Sequence, residues 1–448
     1  MIELTVERMA ASMGAEIVGR GPGGFPTRAE IDSRKIEGGE LFFGLTGGRT
    51  DGGAHAPGAL ESGAWGVVVA PDRADSLAES GGYVFASDDP LLSLQMLARA
   101  WRRELGATVI GITGSVGKTS VKDITRAILP GTVHASAENF NTEIGLPLTI
   151  LEAPAGTRTL VLEMAMRGAG QIAELATIAE PDIGVITNVG PVHVELLGSI
   201  EAVAAAKAEL IAGLRPGGVL VVPFEAGHLD PHLEGVPGRV RFGGEGEIRV
   251  IAHAVEGGVT RATLDTLQGS QDFEFPFAEP HNLLNAQAAV GAGIAAGFAP
   301  AELAARTGGI EFSRFRNEHI DLGDRGLIIN DCYNANPVSM RAALQYLAQT
   351  DRERKIAVLG LMAELGPDER RFHEEIGELT RELGIETIGV GKLARSYGPG
   401  QEAADPEEAA RLLAPKLGPD AAVLVKGSRA AGLERVAELL TAPEGSAA

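Results

Sequence analysis

Lys118 and Thr119 close a glycine-rich stretch, GSVGKTS over residues 114–120, whose chemistry suits a phosphate group. In such a turn the backbone N–H groups of Gly114, Ser115, Val116 and Gly117 cradle phosphate oxygens. Lys118 sits on the β/γ side, and the hydroxyl of Thr119 or Ser120 ligates Mg2+. The usual spacing, G-x-x-x-x-G-K-[ST], requires glycine at 112, where this chain has Ile112. The loop is therefore a short one. Glu163, ending the apolar run TLVL, is placed to act as the acidic metal partner. Lys207 lies among Ile200, Val203, Ala204, Ile211 and Leu214 on the apolar stripe of a helix, so it either snorkels or sits desolvated with a lowered pKa. A neutral amine there can take up CO2 as a carbamate. Nine asparagines fall mostly into four clumps, ENFN, TNVG, HNLLN and NDCYNANP, which marks those stretches for inspection as sites.

These residues need a scaffold. An apolar run through 109–112 enters the loop, and a helix with Val121, Ile124 and Ile128 on one side leaves it. Alternating β-type and helical stretches predict a parallel sheet covered by helices over about 107–312, with hairpin-like strands at about 240–280. The expectation is an α/β chain of three domains. Residues 1–103 form a small unit, 104–312 a central P-loop unit and 313–448 a Rossmann-like unit. Glu163, Thr187-Asn188, Asp331, MAELG and KGSR each directly follow an apolar β run. Ligands bind outside the carboxyl ends of strands in open parallel sheets, so one composite site facing an interdomain cleft is expected.

Composition narrows the class. A formal charge of −21 argues against nucleic-acid or anionic-membrane binding. No run approaches the length of a membrane helix, and the start lacks a basic flank and apolar core, so a cytoplasmic location is expected. A single cysteine, Cys332, excludes an internal disulfide and reads as packing.

The short TGSVGKT loop resembles that of the Mur ligase superfamily, which forms amide bonds using ATP. TNVGPVHVELLGS (187–199), HNLLNAQAA (281–289) and DCYNANP (331–337) resemble further motifs of that family. The resemblance implies that His193 and a carbamylated Lys207 hold a second Mg2+ besides the one at Thr119 and Glu163. Asn285, Arg316 and Asp331 would meet ATP. Asn141 matches the family's N-x-N-N element, while Thr142 replaces its second asparagine, and Phe315 stands where the family has glycine. Tyr333, Asn334 and Asn336 would face substrate. YNANP, GLMAELG (360–366) and KGSR (426–429) resemble members that add D-alanyl-D-alanine, with Lys426 and Arg429 available for its carboxylate. Ser33, Arg34 and the loop at Thr46 would meet the uridine diphosphate of UDP-N-acetylmuramoyl-tripeptide. A monomer is expected. The alternatives are a ligase adding a single amino acid and a nucleotide-hydrolysing switch. A full-length loop and an aspartate closing a later strand would mark the switch, and this chain has Ile112 and Glu163.

Overall fold

The computed structural model describes residues 2–442 except 49, 50, 138, 193, 237 and 399. Four sheets organise them. The first has five strands in the order Glu16–Gly19, Tyr83–Ala86, Gly66–Val69, Leu41–Phe43, Ala29–Glu30, parallel except for the first. The second is fully parallel, in the order Arg239–Phe242, Val219–Pro223, Ile183–Ile186, Thr108–Thr113, Thr159–Glu163, Val133–Ala135. Its middle strands are continuous buried apolar runs, as a sheet covered on both faces requires. Thr108–Thr113 lies between strands that come later in the chain on either side, so the loop after it opens at a switch point of strand order.

The hairpin-like region is a three-stranded antiparallel sheet, Arg249–Glu256, Val259–Asp265 and Gln271–Phe275. The last sheet runs Glu318–Asp321, Leu327–Asn330, Ala421–Lys426, Arg354–Leu359, Glu386–Val390, Gln401–Ala403, with only the first strand antiparallel.

The helix Pro90–Leu105 joins the first two units. Leu94, Leu97, Ala98 and Trp101 recur at helical spacing and are buried in one core shared with both sheets. Its far end is pinned to the central unit by Trp101 Nε1 donating to the Ala153 carbonyl at 3.0 Å. Arg102 likewise donates to the Ala179 and Glu180 carbonyls at 2.9 and 2.8 Å. At the other junction, Ser313 N–H donates to Asp123 Oδ2 at 2.8 Å. Asp123 belongs to the helix Lys118–Ile128 that leaves the glycine loop, so the linker is tied to the loop's own helix. Among the described residues no helix is long and apolar enough to cross a membrane.

Candidate active site

Backbone geometry makes the loop. Gly114 has φ 149° and a Cβ there would lie 1.9 Å from Thr187 Oγ1; Gly117 has φ 84° and a Cβ would lie 2.5 Å from Asn285 Oδ1. Only glycine fits either place. The Thr187-Asn188 pair braces the turn from the neighbouring strand end. Asn188 Oδ1 accepts from Val116 N–H at 3.0 Å, Asn188 Nδ2 and Thr187 Oγ1 donate to the Val116 carbonyl, and Ser115 N–H donates to the Asn188 carbonyl at 3.1 Å. Ser115 Oγ accepts from Gly190 N–H at 2.9 Å. Ser120 lies in the first turn of the helix that starts at Lys118. Its N-terminal N–H groups and dipole complete an anion-binding mouth.

Lys118 Nζ donates to the Gly114 carbonyl at 2.9 Å. Burial pushes its pKa down, Glu163 opposes that shift and Arg316 adds to it. Thr119 Oγ1 donates to Glu163 Oε2 at 2.9 Å, and Asn141 Nδ2 donates to Glu163 Oε1 at 2.9 Å. Thr142 caps the next turn through its Oγ1, which accepts from Gly145 N–H at 3.4 Å. Hydroxyl and carboxylate are thus adjacent beside the loop, a hard-oxygen pair suited to Mg2+. No cluster of three or more His, Cys, Asp or Glu forms a ready metal cage among the described residues. His193 lies outside them.

Lys207 is 1% exposed and has no hydrogen-bond or ion-pair partner among the described residues. Burial, then the charge of Lys118, pushes its pKa well below the ordinary lysine value. Such a setting favours the neutral amine over the ammonium. The buried face around it differs in part from the stripe read in sequence. Val203, Ala204, Ala206 and Leu210 are buried, while Ile200, Ile211 and Leu214 are half-buried. The helix is packed against both Gln171–Ala179 and Gly227–His232, which broadens and rotates its covered side.

Arg316 reaches the loop from beyond the second junction. Its Nη2 donates to Thr119 Oγ1 at 3.1 Å, its guanidinium lies 4.1 Å from the Tyr333 ring centroid, and its buried Nε has no partner. Phe315 and Asn317 flank it with φ of 61° and 54°. The left-handed backbone explains why glycine would be the unstrained residue at 315. Arg314 and Arg429 guanidinium groups each lie 5.0 Å from the Phe315 ring, which gives the larger side chain contacts that glycine lacks.

The 331–336 loop is internally satisfied. Lys426, 2% exposed, pairs with Asp331 Oδ2 at 2.5 Å and also donates to the Asp331 and Asn334 carbonyls at 3.3 and 3.1 Å. Asn334 Oδ1 accepts from Ala335 N–H at 2.9 Å. Asn336 caps the helix Pro337–Gln349, its Oδ1 accepting from Ser339 N–H at 2.9 Å. Cys332 packs with its Sγ 2.9 Å from Asn330 Oδ1, and burial pushes its pKa up to about 12. Ser428 Oγ accepts from Ala363 N–H at 2.9 Å, and buried His373 Nε2 accepts from Met362 N–H at 3.0 Å, so GLMAELG and KGSR are stitched together. Arg429 stays 57% exposed beside Glu434.

In the first unit, Asp32 caps the turn Ser33–Lys35 and binds Arg34 Nε and Nη2 at 2.8 and 2.7 Å. That contact holds the Asp32 carboxyl down at about 2. The Arg34 guanidinium remains 87% exposed. Thr46 bridges to Asp51, which pairs with Arg73.

Sequence reading did not anticipate three contacts. These are the Asp123–Ser313 tie, the bracing of the loop by Thr187 and Asn188, and a contact of Glu279 Oε1 with His319 Nε2 at 3.0 Å across the second junction. The asparagine clumps pointed to the second and stood beside the third. Only spatial neighbours separated by 190 residues reveal the first.

A short glycine loop, a strand-end carboxylate, a buried lone lysine and an arginine from the C-terminal unit make a P-loop type of phosphate-binding site. The Mur ligase middle domain family matches residues 112–293, and the Mur ligase, glutamate ligase domain family matches 315–429. The chain belongs to the Mur ligase family. Among its relatives is the UDP-N-acetylmuramoyl-tripeptide–D-alanyl-D-alanine ligase of Bacillus subtilis, 40% identical over 77% of this chain and 76% of that protein. The enzyme of that name from Mycobacterium tuberculosis is 35% identical over 99% of each. Among solved structures, MurF from Acinetobacter baumannii superposes with TM-score 0.88 at 26% identity, covering 97% of this chain and 98% of that one. The MurF ligase of Thermotoga maritima, solved with ADP, gives 0.82 at 30% identity, covering 94% and 97%.

Proposed function

We propose that the chain joins D-alanyl-D-alanine to UDP-N-acetylmuramoyl-tripeptide with consumption of ATP, giving UDP-N-acetylmuramoyl-pentapeptide, ADP and phosphate. The observation that carries this reading is the convergence of Lys118, Thr119, Glu163 and Arg316 at one strand end, in a chain so similar to ligases of that name. The tripeptide's terminal carboxylate attacks the γ-phosphorus and ADP leaves. The dipeptide amine then attacks the acyl carbon of the resulting acyl phosphate, and the C–O bond to phosphate breaks. The first step turns a poor leaving group into a good one.

The site's residues fit these demands. The loop N–H groups and Lys118 would neutralise the migrating phosphoryl group, and Arg316, whose Nε is buried without a partner, would close on it from the C-terminal unit. Thr119 and Glu163 would hold one Mg2+, which supplies charge neutralisation at the phosphate oxygens when bound. Lys207 and His193 would hold a second. A neutral Lys207 amine attacks CO2, forms an N–C bond and releases a proton. The carbamate would turn that neutral amine into an anion attracted to the charge of Lys118. Asn285 lies against Gly117 on the nucleotide side.

Lys426 is buried against Asp331, whereas Arg429 pairs with Glu434 but stays exposed, so of the two Arg429 would receive the dipeptide carboxylate. Asp331 would meet the nucleotide while paired with Lys426, and Tyr333 would support Arg316 through their stack. Asn334 and Asn336 shape the loop next to the dipeptide, and Asn141 and Thr142 the approach of the tripeptide. Ser33, the exposed Arg34 and the Thr46 loop take the uridine diphosphate. A monomer is the working unit of this proposal.

The test is ADP and phosphate release with Mg-ATP and the tripeptide, adding either D-alanyl-D-alanine or single amino acids, with mass spectrometry of the product. Turnover with the dipeptide alone is expected. Turnover with a single amino acid would replace the substrate, and hydrolysis indifferent to both would replace the reaction class.

A further inference from the structure

The linker into the C-terminal unit grips the helix Lys118–Ile128 at two points one turn apart. Ser313 N–H donates to Asp123 Oδ2 at 2.8 Å, and Arg316 Nη2 donates to Thr119 Oγ1 at 3.1 Å. Thr119 and Asp123 stand at i and i+4, so they share a face of that helix. Phe315, with φ 61°, lies between the two grips. Asp123 is held in turn. Its Oδ1 lies 3.0 Å from Lys122 Nζ, and both residues are 3% exposed. Lys122 Nζ also donates to the Ser136 carbonyl at 3.0 Å, and Ser136 Oγ accepts from Glu163 N–H at 3.1 Å. Two adjacent charges thus join the strand end that carries Glu163 to the linker that carries Arg316.

A buried ion pair adds little net stability over apolar residues of the same volume. Its contribution here is geometric. A carboxylate only accepts hydrogen bonds, and with Oδ1 beside Lys122 the other oxygen is left for one donor of the linker. A linker displaced along the helix would strip that buried oxygen of its donor, which is costly, and would carry Arg316 off Thr119.

We propose that Asp123 is a positioning residue: by holding the Ser313 N–H it fixes the linker's register on the loop's helix, which brings Arg316 to Thr119. Lys122 orients the Asp123 carboxylate and ties it to the backbone beside Glu163. The proposal rests on the ligase reading above, in which Arg316 closes on the migrating phosphoryl group. Asp123 itself touches no reacting atom. With the tie released, Arg316 no longer has a fixed place over the loop. The loss falls on kcat, because a misplacement of about 1 Å in a group aimed at developing charge is felt mainly in the transition state.

Asp123→Ala alone leaves Lys122 buried without its anion and invites unfolding. The test therefore compares two uncharged replacements of the pair in the full chain, Lys122→Met with Asp123→Asn and Lys122→Met with Asp123→Leu. The amide keeps an oxygen for the Ser313 N–H, and the leucine side chain offers none. Expected is a kcat at least about tenfold lower in the leucine variant than in the asparagine variant, with KM for the dipeptide within about twofold. With Arg316→Ala added to both, the same exchange should change kcat by less than about twofold, since Asp123 acts through Arg316. Equal kcat in the two variants, or a difference that persists without Arg316, overturns the proposal. Amide hydrogen exchange reads the tie without turnover. The Ser313 N–H should be protected in the parent and in the asparagine variant, and should exchange at least about tenfold faster in the leucine variant. A Ser313 N–H that exchanges in the parent as fast as an exposed loop amide overturns the proposal, whether or not the variants fold. A parent that releases phosphate but makes no pentapeptide fails the ligase reading alone, and the ratio of the two variants is then read on phosphate release.

Discussion

Around Lys118 and Lys207 the chain leaves polar groups for something else to satisfy, whereas the loop from Asp331 to Asn336 closes upon itself. Both regions hold a buried lysine. Lys207 is 1% exposed without a partner among the described residues, and Lys426 is 2% exposed with a carboxylate and two carbonyls around it. A buried cation without a partner costs stability and persists where a ligand or modification supplies the missing charge. A buried cation with all its partners holds shape. The most specific sequence motif of the chain thus owes its specificity to architecture. The chemistry sits in the loop whose spacing looked like a near miss.

The sharpest way to break this comparison is Lys118→Ala. Product formation should drop about 10³-fold or more with the melting temperature nearly unchanged, as fits a group aimed at developing charge. A fall in stability instead would make Lys118 a structural residue. Next, Lys426→Met leaves the half-buried Asp331 without its cation and should cost about 2–3 kcal/mol of stability, measured by denaturant unfolding. The double variant with Asp331→Asn should recover part of it. Lys207→Ala should lose about 10²-fold in activity while keeping stability, and short carboxylic acids added to the assay should restore some of it. No rescue would remove the carbamate from the account. The smallest effect is that of Asn336→Ala, about 1 kcal/mol for a lost helix cap. A large rise in KM for the dipeptide without that loss would return Asn336 to direct substrate contact.

The strand–loop–helix around Lys118 was legible because apolar runs, glycines and helical spacing are local signals. The antiparallel insert at Arg249–Phe275 and the helix Pro90–Leu105 were legible for the same reason. Spacing put Lys207 on an apolar stripe but left snorkelling and burial both open; the fold buries it, with the covered face shifted toward Ala206 and Leu210 because two neighbours pack on that helix. Pairing was not legible. Nothing local says that Lys426 answers Asp331, 95 residues away, or that Glu279 answers His319. The strained backbone at Phe315 was visible only as a mismatched glycine.

The account's central claim is that the tripeptide carboxylate is phosphorylated before the amide forms. The direct measurement is a single turnover with 18O in that carboxylate, D-alanyl-D-alanine and Mg-ATP, reading the released phosphate by mass spectrometry. The account predicts one 18O in each phosphate, because the acyl carbon keeps one carboxylate oxygen and yields the other. Phosphate free of label, with the displaced 18O recovered in water, would contradict it.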